Sequence, residues 1–185
     1  MENPLLGYFG TKYESAPFTK IVPKHFIPAI EKDIQESLEA IDKITNQTSQ
    51  PSFDNTIDAL QNIGEFLERN SALLFNLNSA ETSEEIQKIT QQASPILTKF
   101  QNDVRLNQAL FERIKIVYEN RENENLTTEQ LALLEKEFKG FTRNGALLSQ
   151  DKKDILREID TQKAQLSLRF GENVLADTNS FSLHV

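Results

Sequence analysis

The sequence contains no cysteine, two histidines, six glycines and six prolines in 185 residues. The missing cysteine excludes disulfides, thiolate zinc sites and cysteine nucleophiles together. The histidines, His25 and His184, sit near opposite ends of the chain, and neither belongs to an H-E-x-x-H helix. A catalytic zinc takes three protein ligands and a water. The plain reading is that His25 helps to begin a helix and His184 projects from the tail. The glycines nowhere form a phosphate-cradling loop, and no G-x-S-x-G nucleophile elbow is present. No apolar run approaches the ~18 residues of a membrane span. The N-terminus lacks the basic start and apolar stretch of a signal peptide. Acids outnumber bases 28 to 20, and the bases are scattered, so the surface repels phosphate backbones. These absences predict a soluble, cytoplasmic chain with no nucleic-acid or membrane partner.

What remains is helix-forming. Leu, Ile, Val and Phe supply 54 of the 185 residues, enough for a core and well above the roughly 20% that marks disorder. Five of the six prolines fall within the first 51 residues. Pro4, Pro17 and Pro23, with Gly7 and Gly10 between them, predict an extended arm over residues 1–23, laid on the core through Leu5, Leu6 and Phe9. Apolar residues then recur every three or four positions. A first helix is expected from His25 to Thr45 along Ile27, Ile30, Ile34, Leu38 and Ile41. A second starts at Asp54 or Asn55 and carries one stripe from Ile57 to Leu77. A third opens at a Thr82/Glu85 capping box and continues through Pro95, which should bend it without ending it. Asn107 caps a fourth, running to about Glu122. Thr127 with Gln130 forms a second capping box, and Gly145 offers a left-handed stop. Ser149 caps a long last helix with Ile155, Ile159, Leu166, Phe170 and Val174 as its apolar stripe. Phe181, Leu183 and Val185 then alternate with polar residues, which reads as a strand over residues 179–185. The expected fold is all-α: about six amphipathic helices over residues 24–178 in an irregular bundle, between the arm and the strand.

Candidate chemistry is sparse. The paired carboxylates Glu31/Glu36, Glu84/Glu85, Glu135/Glu137 and Asp151/Asp154 lie on charged helix faces. Acid–base work needs two carboxyls held at different pKa values by burial or a partner. Bases three or four residues away, such as Lys139 beside Glu135 and Arg157 beside Asp154, read as ordinary surface solvation. Phe138 and Phe141 stand at helical spacing, which fits a core better than a groove. No catalytic, metal-binding or substrate-binding residue is assigned.

A series of short motifs nevertheless runs collinearly along the chain: Asn3-Pro4-Leu5-Leu6, Pro17-Phe18, His25-Phe26-Ile27-Pro28-Ala29 and Phe53-Asp54-Asn55-Thr56-Ile57 with Leu60. Leu106-Asn107, Leu110-Phe111, Arg113 four residues before Val117, and Glu129-Gln130 follow. Phe141, Arg143, Gly145, Ala146 and Leu148, and then Phe170-Gly171-Glu172-Asn173-Val174-Leu175, complete the series. In this order the chain resembles the N-terminal helical region of the thimet oligopeptidase family of zinc metallopeptidases, and looks most like the bacterial peptidyl-dipeptidases. The resemblance implies one wall of a deep channel that admits short peptides and excludes folded proteins. It also implies that zinc and its H-E-x-x-H helix belong to a C-terminal catalytic half, absent from these residues. On this reading the parent enzyme cleaves short oligopeptides, as a peptidyl-dipeptidase or an oligopeptidase, while this chain alone is inactive, binds no zinc and has the catalytic half as its partner. The open strand edge of the tail would favour self-association. The alternative is a stand-alone helical adaptor that takes a peptide or partner helix on an apolar groove.

Overall fold

A computed structural model describes residues 3–182. Six helices of three turns or more build it: α1 (Phe26–Asn46), α2 (Glu65–Ala80), α3 (Glu84–Arg105), α4 (Gln108–Glu119), α5 (Thr128–Arg143) and α6 (Gln150–Ser180). No strand occurs among the described residues. The all-α expectation holds. Its two ends need correction.

The arm is not extended. Over residues 3–22 the chain folds into successive turns, because short polar side chains capture nearby backbone groups. Asn3 Oδ1 accepts from Leu5 N at 3.0 Å, and its Nδ2 donates to the His25 carbonyl at 2.8 Å. The Glu14 carboxylate accepts from the amides of Phe9 and Gly10 at 2.7 and 3.2 Å. These turns sink Leu5 fully into the core. At the other end, α6 continues to Ser180, so residues 179 and 180 are helical and Phe181 and Ser182 follow without forming a strand. Helix N–H groups find their acceptors four residues back, whereas a strand would need a neighbour. Residues 183–185, with Leu183, His184 and Val185, lie outside the described part.

Local signals placed several boundaries well. Thr127 and Gln130 form their reciprocal capping box, with Gln130 N donating to Thr127 Oγ1 and Thr127 N donating to Gln130 Oε1. Asn107 caps α4 through its side chain, though α4 ends at Glu119 and turns replace its expected last residues. Gly145 takes the left-handed conformation, at φ 94°. Pro95 lies inside one continuous α3. Elsewhere the cap moves by a residue: Ser83, not Thr82, accepts the backbone N–H of Ile86 and opens α3.

The second expected helix is two elements. Ser52 caps a wide, π-type turn over Phe53–Asp58 that runs into Ala59–Gln61. The chain then breaks, and Gly64, at φ 86°, redirects it into α2. That conformation costs L-residues a clash between Cβ and the carbonyl, which glycine lacks.

Two apolar clusters hold the helices together. One joins the C-terminal half of α1 and the π-type turn to α4 and α5, around Ile57, Leu110, Phe111, Ile114, Leu134 and Phe141. Phe138 stacks on Tyr118 and Phe111, so the aromatic pair of α5 is core. The other joins the N-terminal turns and the start of α1 to α2 and α3, around Leu5, Phe26, Ile30, Leu67 and Leu74. The buried face of α1 also takes in Asp33 and Ser37, two polar residues that stand between Ile30 and Ile41 on one stripe. Helix α6 packs along α3, tied to it by Lys153 Nζ on the Leu106 carbonyl (3.2 Å), Arg157 on Asp103 (2.6 Å) and Gln91 on Glu172 (2.8 Å).

Candidate functional site

A concave surface of chemical interest follows from that packing. Because α6 rests on α3 beside α2, an open cleft of about 680 Å³ remains between the three helices. Leu67, Phe75, Leu97, Phe100 and Leu168 are among its apolar walls, and Glu68, Ser71, Ser94, Thr98, Gln101 and Ser167 are its polar side chains. Ser71 Oγ is buried there without a hydrogen-bond partner. Two recesses adjoin it. One, of about 570 Å³, is lined by Arg105, Arg143, Asp160 and Lys163; the other, of about 320 Å³, by Ile41, Leu60, Glu137 and Phe141. Gln101 lines all three, so they form one furrow along the second half of α3.

Charge in the furrow is held by tertiary contacts. Arg105 pairs with Glu137 of α5 at 3.1 Å and sits 4.9 Å from the Phe141 ring. Glu137 thus leaves the solvated face on which its spacing with Glu135 placed it. Its side chain is only 11% exposed. Arg157 likewise reaches across to Asp103 rather than to its neighbour Asp154.

The other carboxylates do not come together. Glu31, Glu36, Glu84, Glu85, Asp151 and Asp154 are exposed. Lys139, hydrogen-bonded at 2.9 Å, pulls the Glu135 carboxyl below its usual value, and a bond with Ser149 does the same for Asp151. Both shifts oppose the raised value a general acid needs. His25 is used locally, its Nδ1 accepting from Val22 N at 3.2 Å. No group of three or more His, Cys, Asp or Glu side chains is gathered among the described residues. This donor set does not fit a catalytic zinc, and no hydrolytic step is assigned to it.

Sequence reasoning missed one polar centre outside the furrow. Asn70 and Asp33 are buried, and Asn70 Nδ2 donates to Asp33 Oδ2 at 2.7 Å and to the Leu5 carbonyl at 3.0 Å. Arg69 donates to the same carbonyl and lies 4.1 Å above the Phe9 ring. Burial pushes the Asp33 carboxyl above its ordinary value, and the bond from Asn70 opposes it. This centre locks the N-terminal turns onto α1 and α2. An Asp at a helical position otherwise reserved for apolar residues was its only sequence signal.

The helices thus form an irregular array with a furrow along the second half of α3. Residues 27–153 match the family described as Neurolysin/Thimet oligopeptidase, N-terminal domain, and the chain belongs to that family. It is 33% identical over 183 residues to the dipeptidyl carboxypeptidase of Escherichia coli and 31% identical to that of Salmonella typhimurium. It is 26% identical over 178 residues to oligopeptidase A of Escherichia coli. These alignments cover 96–99% of this chain but only 26–27% of each relative, so the chain spans about a quarter of their length. No described helix is long and apolar enough to cross a membrane.

Proposed function

We propose that this chain is the substrate-channel portion of a cytoplasmic metallopeptidase that cleaves short oligopeptides, of the peptidyl-dipeptidase or oligopeptidase type. The zinc and the H-E-x-x-H helix come from polypeptide beyond the matched region. The observation that carries the reading is the alignment itself, which covers 99% of this chain and 27% of each dipeptidyl carboxypeptidase. The furrow supports it. Its apolar walls suit peptide side chains, and Gln101, Ser71 and Glu68 offer donors and acceptors for a peptide backbone. A zinc ion held by that other polypeptide would supply the Lewis acid for hydrolysis, and none of the residues described here is assigned to hold it. The residues described here bind and orient the peptide, and their helices exclude folded proteins from the channel.

Gln101→Trp tests this in the polypeptide encoded by the whole reading frame. Filling the furrow should raise KM for a short blocked peptide by about tenfold with little change in kcat, as expected when uniform binding is lost. Unchanged kinetics would remove the furrow from the substrate path. Peptide hydrolysis by this chain alone would overturn the division of labour.

A further inference from the structure

The apolar stripe of α6 faces outward. Ile155, Ile159, Leu166, Phe170 and Val174 are 57, 53, 63, 72 and 49% exposed. On a helix turning 100° per residue they fall within an arc of about 100°. The residues that meet α3 and its cleft, from Lys153 and Asp160 to Ala164 and Leu168, occupy the neighbouring arc. Helix α6 therefore uses one face inside this fold and offers a second, equally periodic face to nothing within it. Single exposed apolar residues are ordinary, but five in helical register over five turns are an interaction surface. The shallow groove along it, between Ile159 and Asn173, is bordered by Lys163 and Arg169 and by no acidic side chain.

We infer that this stripe is the seam on which the remaining part of the peptidase docks, through an apolar helix face flanked by acidic residues that meet Lys163 and Arg169. The inference rests on the proposed function and adds the surface to it. Two observations select this occupant over a second copy. The relatives carry nearly three quarters of their length outside the aligned region, so ample chain exists to cover one helix face. The cationic border of the groove calls for an acidic counterpart, which a second identical groove does not supply.

The absence of cysteine makes a direct test available. Leu166→Cys and Phe170→Cys report on the stripe, and Gln165→Cys on an exposed face outside it. Each is placed in this chain and in the polypeptide of the whole reading frame, and thiol labelling is followed peptide by peptide with mass spectrometry. The thiols introduced at positions 166 and 170 should react at least about tenfold more slowly in the longer polypeptide, as water is excluded from a packed seam, while the one at position 165 stays unchanged. Equal reactivity at all three positions would overturn the inference. So would a dimer of this chain, seen by sedimentation at micromolar concentration and abolished by Phe170→Ala, since a second copy would then own the face. Peptide hydrolysis with an unprotected stripe would leave the proposed function standing and remove the seam. Protection in a polypeptide without peptidase activity would do the reverse.

Discussion

Replacing Asn70 with alanine should be among the most costly single changes in this fold. Asn70 has no exposed surface, and its amide is the neutral donor that a buried carboxylate accepts from at 2.7 Å. A hydrogen bond to a charged group contributes about 1.5–3 kcal/mol, and a neutral one about 1 kcal/mol. The neutral bond, to the Leu5 carbonyl, is partly replaced because Arg69 Nη2 already donates there at 3.1 Å. The expected loss is therefore about 3 kcal/mol, or about 6–12 °C in Tm for a chain of this size. Urea unfolding followed by circular dichroism at neutral and acid pH measures it.

The pH dependence supplies a second check. Burial raises the Asp33 carboxyl above its ordinary 3.8, opposed by the bond from Asn70 and by Arg69 and Lys32, and assisted by Glu36. The folded state then binds more protons than the unfolded one between 3.8 and the raised value. The contribution of this carboxyl to stability is full below 3.8 and is lost as pH rises through the folded value. Asp33→Asn should consequently be more stable than the parent at pH 7, with the advantage shrinking as pH falls toward 3.8. The cost of Asn70→Ala should shrink in the same direction, because a protonated Asp33 no longer needs the donor. A loss below about 1 kcal/mol at pH 7, no larger than one neutral hydrogen bond, would refute the reasoning. An equal loss at both pH values would refute it as well.

Two further substitutions test packing. Gly145→Ala should destabilise the chain by about 1–3 kcal/mol in urea unfolding, since an L-residue is strained at this φ. The new Cβ would also stand 2.7 Å from Leu156 Cδ2. Arg113→Lys should cost about 2 kcal/mol, because a point charge cannot reproduce the fork that spans the segment from Gln47 to Asn55. Arg113 donates to the Gln47 and Ser49 carbonyls at 3.4 and 3.3 Å and to Asn55 Oδ1 at 3.0 Å, while burial lowers its pKa. Limited proteolysis between residues 47 and 52 should accelerate in that variant, and an unchanged rate would show that the loop holds itself.

Where the physics is local, the residues alone decided the outcome. Thr127 and Gln130 cap α5 because each satisfies the other's backbone amide within one turn. Asn107 caps α4 by accepting from Leu110 N, and the recurrence of apolar residues every third or fourth position was enough to indicate the helices. Gly64 shows where this stops. The stripe from Ile57 to Leu77 keeps its spacing across the break, so periodicity gives no warning that the chain turns there. The partners of Asp33 and Glu137 were also invisible, because Asn70 lies 37 residues from Asp33 and Arg105 lies 32 from Glu137. The same spacing that described α6 as amphipathic was silent on which face its own fold would use. Amphipathicity records that a helix has something to bury. Only the packing of α6 on α3 decided that its apolar stripe would be left facing outward, since burial depends on which surfaces the rest of the chain brings within reach.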